Sequence, residues 1–256
     1  MIEGSINSTD RLMRYMSFEK FMDMVCRGKI FVSRSDRFDD AFEGNYTQFV
    51  YEISRGITVT SKGESSNRGM VNNTKEIRES AFVSCWTLSE TESMALWKLY
   101  GGKNSIAIET TVGALEIEIG RPENSVLELG LLSKRIVKVD YIDHRSRDEK
   151  LARELLTSRR APLTKKPIAY TYEQEVRVII DYLNQPPVQA DFKNRLGLGI
   201  DIAINPQSLI NQIYASPLAD AWFFELLKRM LQDHGMDNLL SWSSMRVVPV
   251  NEVFEP

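Results

Sequence analysis

Glu173 and Glu175 are separated by one residue and followed by Arg177, in a stretch that alternates after residue 174. Alternation at period two predicts a strand with Glu175, Arg177 and Ile179 on one face. Paired carboxylates of this kind can divide a reaction: one stabilises positive charge on a substrate, the other takes a proton from a nucleophile. The ordinary alternative is a set of cross-strand ion pairs. A second cluster, Asp36, Asp39, Asp40 and Glu43, reads as turn capping. Brought near Glu173 or Glu175, and with Lys165 or Lys166, those oxygens would instead suit Mg²⁺ in a nuclease. A third group is Arg14-Tyr15-x-Ser17 with Ser84-Cys85-Trp86, Trp97 and Tyr100, whose bulky rings are core residues unless they stack on a cofactor.

Other chemistries find little in the chain. Cys26 and Cys85 lack CxxC spacing, and His144 and His234 are the only histidines. No disulfide framework, zinc site or histidine-based triad is therefore predicted, and both histidines read as surface residues. Glycine-rich phosphate loops and the common hydrolase motifs are absent. The 32 Lys+Arg nearly balance 35 Asp+Glu, for a net charge of −3, so no global charge favours nucleic acid or an anionic membrane. No run approaches the ~20 apolar residues that span a bilayer, and a cytoplasmic location is expected.

The elements that must hold these residues are legible from their punctuation. Phe18, Phe21, Met22 and Val25 fall on one helical face between an N-capping Ser17 and Gly28. Strands are predicted at 29–33, 81–86, 105–109, 135–141, 175–180, 210–215 and 246–250, with a short strand before the first helix. A helix passes through Met94, Leu96, Trp97 and Tyr100 to Gly101, and another spans 220–232. Residues 56–79, rich in Ser, Asn, Lys and Glu, read as a long loop and candidate lid. Residues 143–166, with eight Lys/Arg and four Asp/Glu, read as a solvated helix. With no evident linker, the expectation is one α+β domain over 1–256, a mainly antiparallel central sheet with peripheral helices.

The chain resembles the bacterial domain-of-unknown-function family 2971. The resemblance rests on Arg14-Tyr15-Met16-Ser17 with its helix, Ile30-Phe31-Val32-Ser33 leading to Arg37-Phe38-Asp39-Asp40-Ala41-Phe42-Glu43, Val83-Ser84-Cys85-Trp86, Leu96-Trp97-x-x-Tyr100-Gly101 and Tyr172-Glu173-Gln174-Glu175-Val176-Arg177. Ile213-Tyr214-Ala215-Ser216-Pro217 extends it towards residue 245. More distantly, the order of features is similar to the ADP-ribosyltransferase superfamily. That likeness implies a fold of the same kind and NAD as substrate, with an unidentified protein or nucleic-acid acceptor. It implies that Arg14, with Tyr15, holds a phosphate or ribose, that Ser84 supports the nicotinamide ribose, and that Trp86, Trp97 or Tyr100 stacks on the nicotinamide. Glu175, or Glu173 in a shifted register, would stabilise the oxocarbenium-like transition state beside Arg177. The expected activity is NAD cleavage with transfer or hydrolysis, in a toxin or anti-phage effector. A Mg²⁺-dependent nuclease and a non-catalytic nucleotide- or protein-binding module are the alternatives.

Overall fold

The computed structural model describes residues 1–38, 40, 42–59, 73–124, 133–182 and 197–246. In chain order its strands are β1 Ile2–Glu3, β2 Arg11–Ser17, β3 Lys29–Arg34, β4 Ala81–Leu88, β5 Ser105–Thr111, β6 Ser133–Lys138, β7 Asp140–Ile142, β8 Lys165–Pro167, β9 Glu175–Asp181, β10 Gly199–Ala203, β11 Gln212–Ala215 and β12 Leu240–Trp242. The longer helices are α1 Phe18–Arg27, α2 Gln48–Val59, α3 Val112–Ile119, α4 Glu149–Thr157 and α5 Ala221–Gln232. The chain is thus mixed α+β, and most strand pairs are antiparallel. Contacts divide it into two compact units: Met1–Ile6 with Phe31–Cys85 and Pro122–Ile202, and Asn7–Ile30 with Trp86–Arg121 and Ala203–Pro256. Among the described residues no helix is long and apolar enough to cross a membrane.

In the first unit β6 lies antiparallel to β9 from Ser133↔Asp181 to Lys138↔Val176, with β1 parallel to β6 on its far side. The start of β4 adjoins β9 and pairs with β3 at Ser33↔Val83, and β10 continues from β3. All seven residues of β9 are buried, so both faces of this strand are covered. One face packs into a core of Tyr46, Val50, Ile77, Val83, Ala152, Leu155, Leu163 and Ile179, drawn largely from α2, α4 and their flanks. β10 approaches β3 closely: a Cβ at Gly199 would sit 2.2 Å from Phe31 Cζ and 2.6 Å from the Val32 carbonyl oxygen. Because the carbonyl is fixed in the strand, Gly199→Ala is expected to destabilise by about 1–3 kcal/mol, visible as a lowered thermal midpoint.

In the second unit β2 pairs with β5 along its whole length, Arg11↔Thr111 to Ser17↔Ser105, and with the end of β4 at Leu12↔Leu88. β11 extends the order beyond β5, followed by β12 in parallel. α1 buries Phe21, Met22, Met24 and Val25, and ends at Gly28, whose φ of 60° lets its N–H reach the Met24 carbonyl. Met13, Tyr15, Leu96, Trp97 and Ala107 form a compact cluster.

Several expectations change. The expected loop at 56–79 begins inside α2 and ends in a helical stretch at 73–79 that buries Ile77; its middle, 60–72, lies outside the described residues. Polar composition had hidden an amphipathic pattern carried by few apolar positions. Of 143–166, Glu149–Thr157 is α-helical and Ala161–Thr164 is a short 3₁₀ helix, while Lys165 and Lys166 are buried in a strand. His144 is buried against Phe42, with ring centroids 4.7 Å apart, and desolvation lowers its pKa. The strand expected at 246–250 falls almost wholly outside the described residues, as does Asp39.

Candidate functional site

The first unit holds a buried charge network built where a 3₁₀ turn, Ile168–Glu173, passes into β9. The junction is Gln174, whose φ of 42° is left-handed, and its N–H bonds the Thr171 carbonyl at 3.2 Å. This reversal ends the turn in a single residue. Glu173 therefore lies outside the strand that carries Glu175, yet both side chains converge on Lys166. The Lys166 ammonium donates to Glu173, and to Glu175 Oε2 at 2.9 Å. Its neighbour Lys165 points the other way, as strand geometry requires, and bonds Asp140 and Glu154, each at 2.7 Å.

Arg177, two residues along β9 and on the same face as Glu175, supplies the second cation. Its Nε donates to Glu175 Oε1 at 2.8 Å and its Nη2 to Oε2 at 3.2 Å. The outer edge of the same guanidinium grips Glu43 at 2.6 and 2.9 Å, and Nη1 also meets the Leu163 carbonyl at 2.7 Å. A planar fork with five donors is well suited to serving two carboxylates at once. Tyr141 accepts the Glu175 backbone N–H at 2.8 Å, and the Lys166 ammonium lies 4.7 Å from the Tyr170 ring centre.

Electrostatics distinguish the members. Burial alone would push the Glu175 carboxyl up, but Arg177 and then Lys166 outweigh it and hold its pKa down at about 2. Glu43 goes the other way, because burial outweighs its pairing with Arg177. Burial also pushes the Cys85 thiol up, with the Glu175 charge adding to the effect, which removes it as a thiolate nucleophile at neutral pH. Three carboxylates thus share two cations, so the network has one acid more than it has bases.

The structure brings together Glu173, Glu175 and Arg177. Ser84 belongs to the same unit but neighbours Cys85, which faces Glu175; alternation turns Ser84 to the opposite side of β4, where its buried hydroxyl has no partner among the described residues. Arg14, Tyr15, Trp86, Trp97 and Tyr100 lie in the second unit. There the Arg14 guanidinium lies 5.4 Å from the Trp86 ring centre. Tyr15 accepts the Ser93 N–H at 2.8 Å and meets Trp97 edge-on at 5.1 Å. The Trp97 indole donates to Glu92 at 3.0 Å and is fully buried, while Tyr100 is half exposed. Trp86 and Trp97 are core rings here, not open stacking surfaces.

Comparison with protein-family models, curated proteins and solved structures finds no match to this chain.

Sequence reasoning missed Tyr141, and it named Glu43 and Lys166 only for the metal-nuclease alternative. Glu43 was grouped with its neighbouring aspartates as a turn residue, but Asp36 is clamped by Arg34 at 2.7 and 3.0 Å and Asp40 caps the Phe42 N–H at 2.9 Å. Among the described members of the cluster only Glu43 turns inward. A signal did exist for Lys166, since Leu163 and Ile168 bracket Lys165-Lys166-Pro167 with apolar residues. Among the described residues no group of three metal-ligating side chains could hold an ion; of the carboxylates in the nuclease reading, Glu173 and Glu175 face Lys166 and Arg177, Asp40 caps the Phe42 N–H, and Asp39 lies outside the described residues.

Proposed function

We propose that the chain is an ADP-ribosyltransferase-like enzyme that cleaves NAD, with its reacting carboxylates at Glu173 and Glu175. The observation that carries this reading is the convergence of both on Lys166 beneath the surface tyrosines of the 3₁₀ turn, with Glu175 kept ionised. Breaking an N-glycosidic bond builds positive charge on the ribose. A fixed carboxylate in a poorly solvated setting lowers that barrier because it needs no reorganisation as the charge develops.

The geometry favours a division of roles. Both Glu175 oxygens are held by Arg177 and Lys166, so it orients the lysine and supplies negative potential. Glu173, 4% exposed against 2% for Glu175, follows the exposed Tyr172 in the turn; in this reading it is the member that meets a sugar and takes a proton from the nucleophile. Tyr170 and Tyr172, with ring centroids 6.4 Å apart, offer a surface on which a nicotinamide or adenine ring can stack. In this reading the buried Trp86 and Trp97 are assigned to packing. An acceptor of protein or nucleic acid, and a role as a cytoplasmic effector in toxicity or anti-phage defence, belong to the same proposal.

Nicotinamide release from NAD by the purified protein, with cell lysate added as acceptor, tests it. Glu173→Gln is expected to lower kcat about 100-fold or more, whereas Tyr172→Ala raises KM with a smaller change in kcat. Release by Glu173→Gln at the wild-type rate, or none by the wild type, would overturn the reading.

A further inference from the structure

The first unit contains a second feature that the carboxylate network does not use. A cavity of about 290 Å³ opens between the turn before α2, α2 itself and the helical stretch at 73–79, lined among others by Asn45, Tyr51, Thr74, Lys75 and Arg78. Its charges are unevenly matched. Asp36, on its wall, has both oxygens taken by Arg34, and Glu79 lies 3.8 Å from Lys75. Arg78 has no hydrogen-bond or ion-pair partner among the described residues, and its Nε is buried without an acceptor. Buried donors are almost always satisfied, and an unsatisfied one costs about 1–3 kcal/mol.

The arginine is also fixed in place. Gly44 has a φ of 66°, and a Cβ there would lie 3.0 Å from Arg78 Cγ, so the glycine leaves room for the stem to lie against the backbone. Beside it the Tyr51 and Thr74 hydroxyls are 3.2 Å apart, and either can turn its proton to an oxygen ligand. Lys75 stands at the solvent edge.

We infer that this cavity is a binding site for a small phosphorylated molecule, of sugar-phosphate size, with Arg78 as the counter-charge to the phosphate. A guanidinium with open donors matches the oxygens of a phosphate monoester bidentately. The hydroxyl pair supplies neutral donors, and the volume lies near the lower bound of small-ligand pockets, about 300 Å³. The inference is independent of the NAD reading, since it uses none of Glu173, Glu175, Lys166 or Arg177.

Titration calorimetry of the full chain with ribose 5-phosphate, inorganic phosphate and ribose tests it. Saturable binding of ribose 5-phosphate is expected, with inorganic phosphate weaker and ribose silent. Arg78→Met keeps the methylene packing on Gly44 and should weaken the phosphate ester about tenfold or more. Thr74→Val, judged beside it, should weaken binding about threefold by removing one neutral hydrogen bond. Glu173→Gln should bind as the wild type does, which separates this site from the proposed catalytic one. No saturable binding of either phosphate at about 10 mM, an affinity weaker than about −2.7 kcal/mol, would overturn the inference. Equal affinity in the wild type and both pocket variants would do the same.

Discussion

Arg177→Met is expected to destabilise the protein by about 3–5 kcal/mol, the largest effect of any single substitution considered. Arg177 is 1% exposed and holds Glu43 and Glu175 together through four hydrogen bonds. Methionine fills most of the volume, so the loss is electrostatic rather than a cavity. Two carboxylates would remain buried, Glu175 still bonded to Lys166 and Glu43 left with only the through-space attraction of that lysine. Each could escape only by taking up a proton or by opening the turn to water. Equilibrium denaturation at neutral pH measures the change. The triple replacement Arg177→Met, Glu43→Leu and Glu175→Leu should recover most of it, because a buried ion network exchanged for apolar groups of similar size is often neutral. A loss below about 1 kcal/mol in the single variant would mean that the network relaxes into solvent, as surface pairs do.

Acid should unfold the protein through Glu175. Its folded pKa is depressed from 4.5 to about 2, so its stabilising contribution is complete above pH 4.5 and is lost as pH falls towards 2. A depression of that size corresponds to about 3 kcal/mol. Glu43 has the opposite sign: its folded pKa is raised, so its ionised form weakens the fold above that pKa, and protonation relieves the cost as pH falls. The combined expectation is stability that holds or rises slightly on mild acidification and then falls steeply below about pH 4. Urea midpoints across that range provide the measurement. Glu175→Gln should flatten the acid limb, while Glu43→Gln should remove the gain on mild acidification and leave the limb intact. An unchanged acid limb in Glu175→Gln would overturn this assignment.

Much of the framework was legible in local pattern. α1 followed from the apolar face of Phe18, Phe21, Met22 and Val25 with Gly28 as its stop, because capping and periodicity act over a few residues. β4, β5, β9 and α5 followed in the same way, and alternation placed Glu175, Arg177 and Ile179 on one face before any coordinates. The 73–79 helix and the buried Lys165-Lys166 strand were not legible, because polar composition reports an average over residues and burial concerns one face at a time. The sequence by itself therefore determined the α+β class, the main elements and which residues of β9 point the same way. Only the tertiary structure decided what they point at. Glu43 and Arg177 are 134 residues apart in the chain, the left-handed Gln174 turns Glu173 back onto Lys166, and no local rule specifies a partner across that distance. The ionisation of these groups depends on burial and neighbouring charge together, and both arise only when the chain is packed.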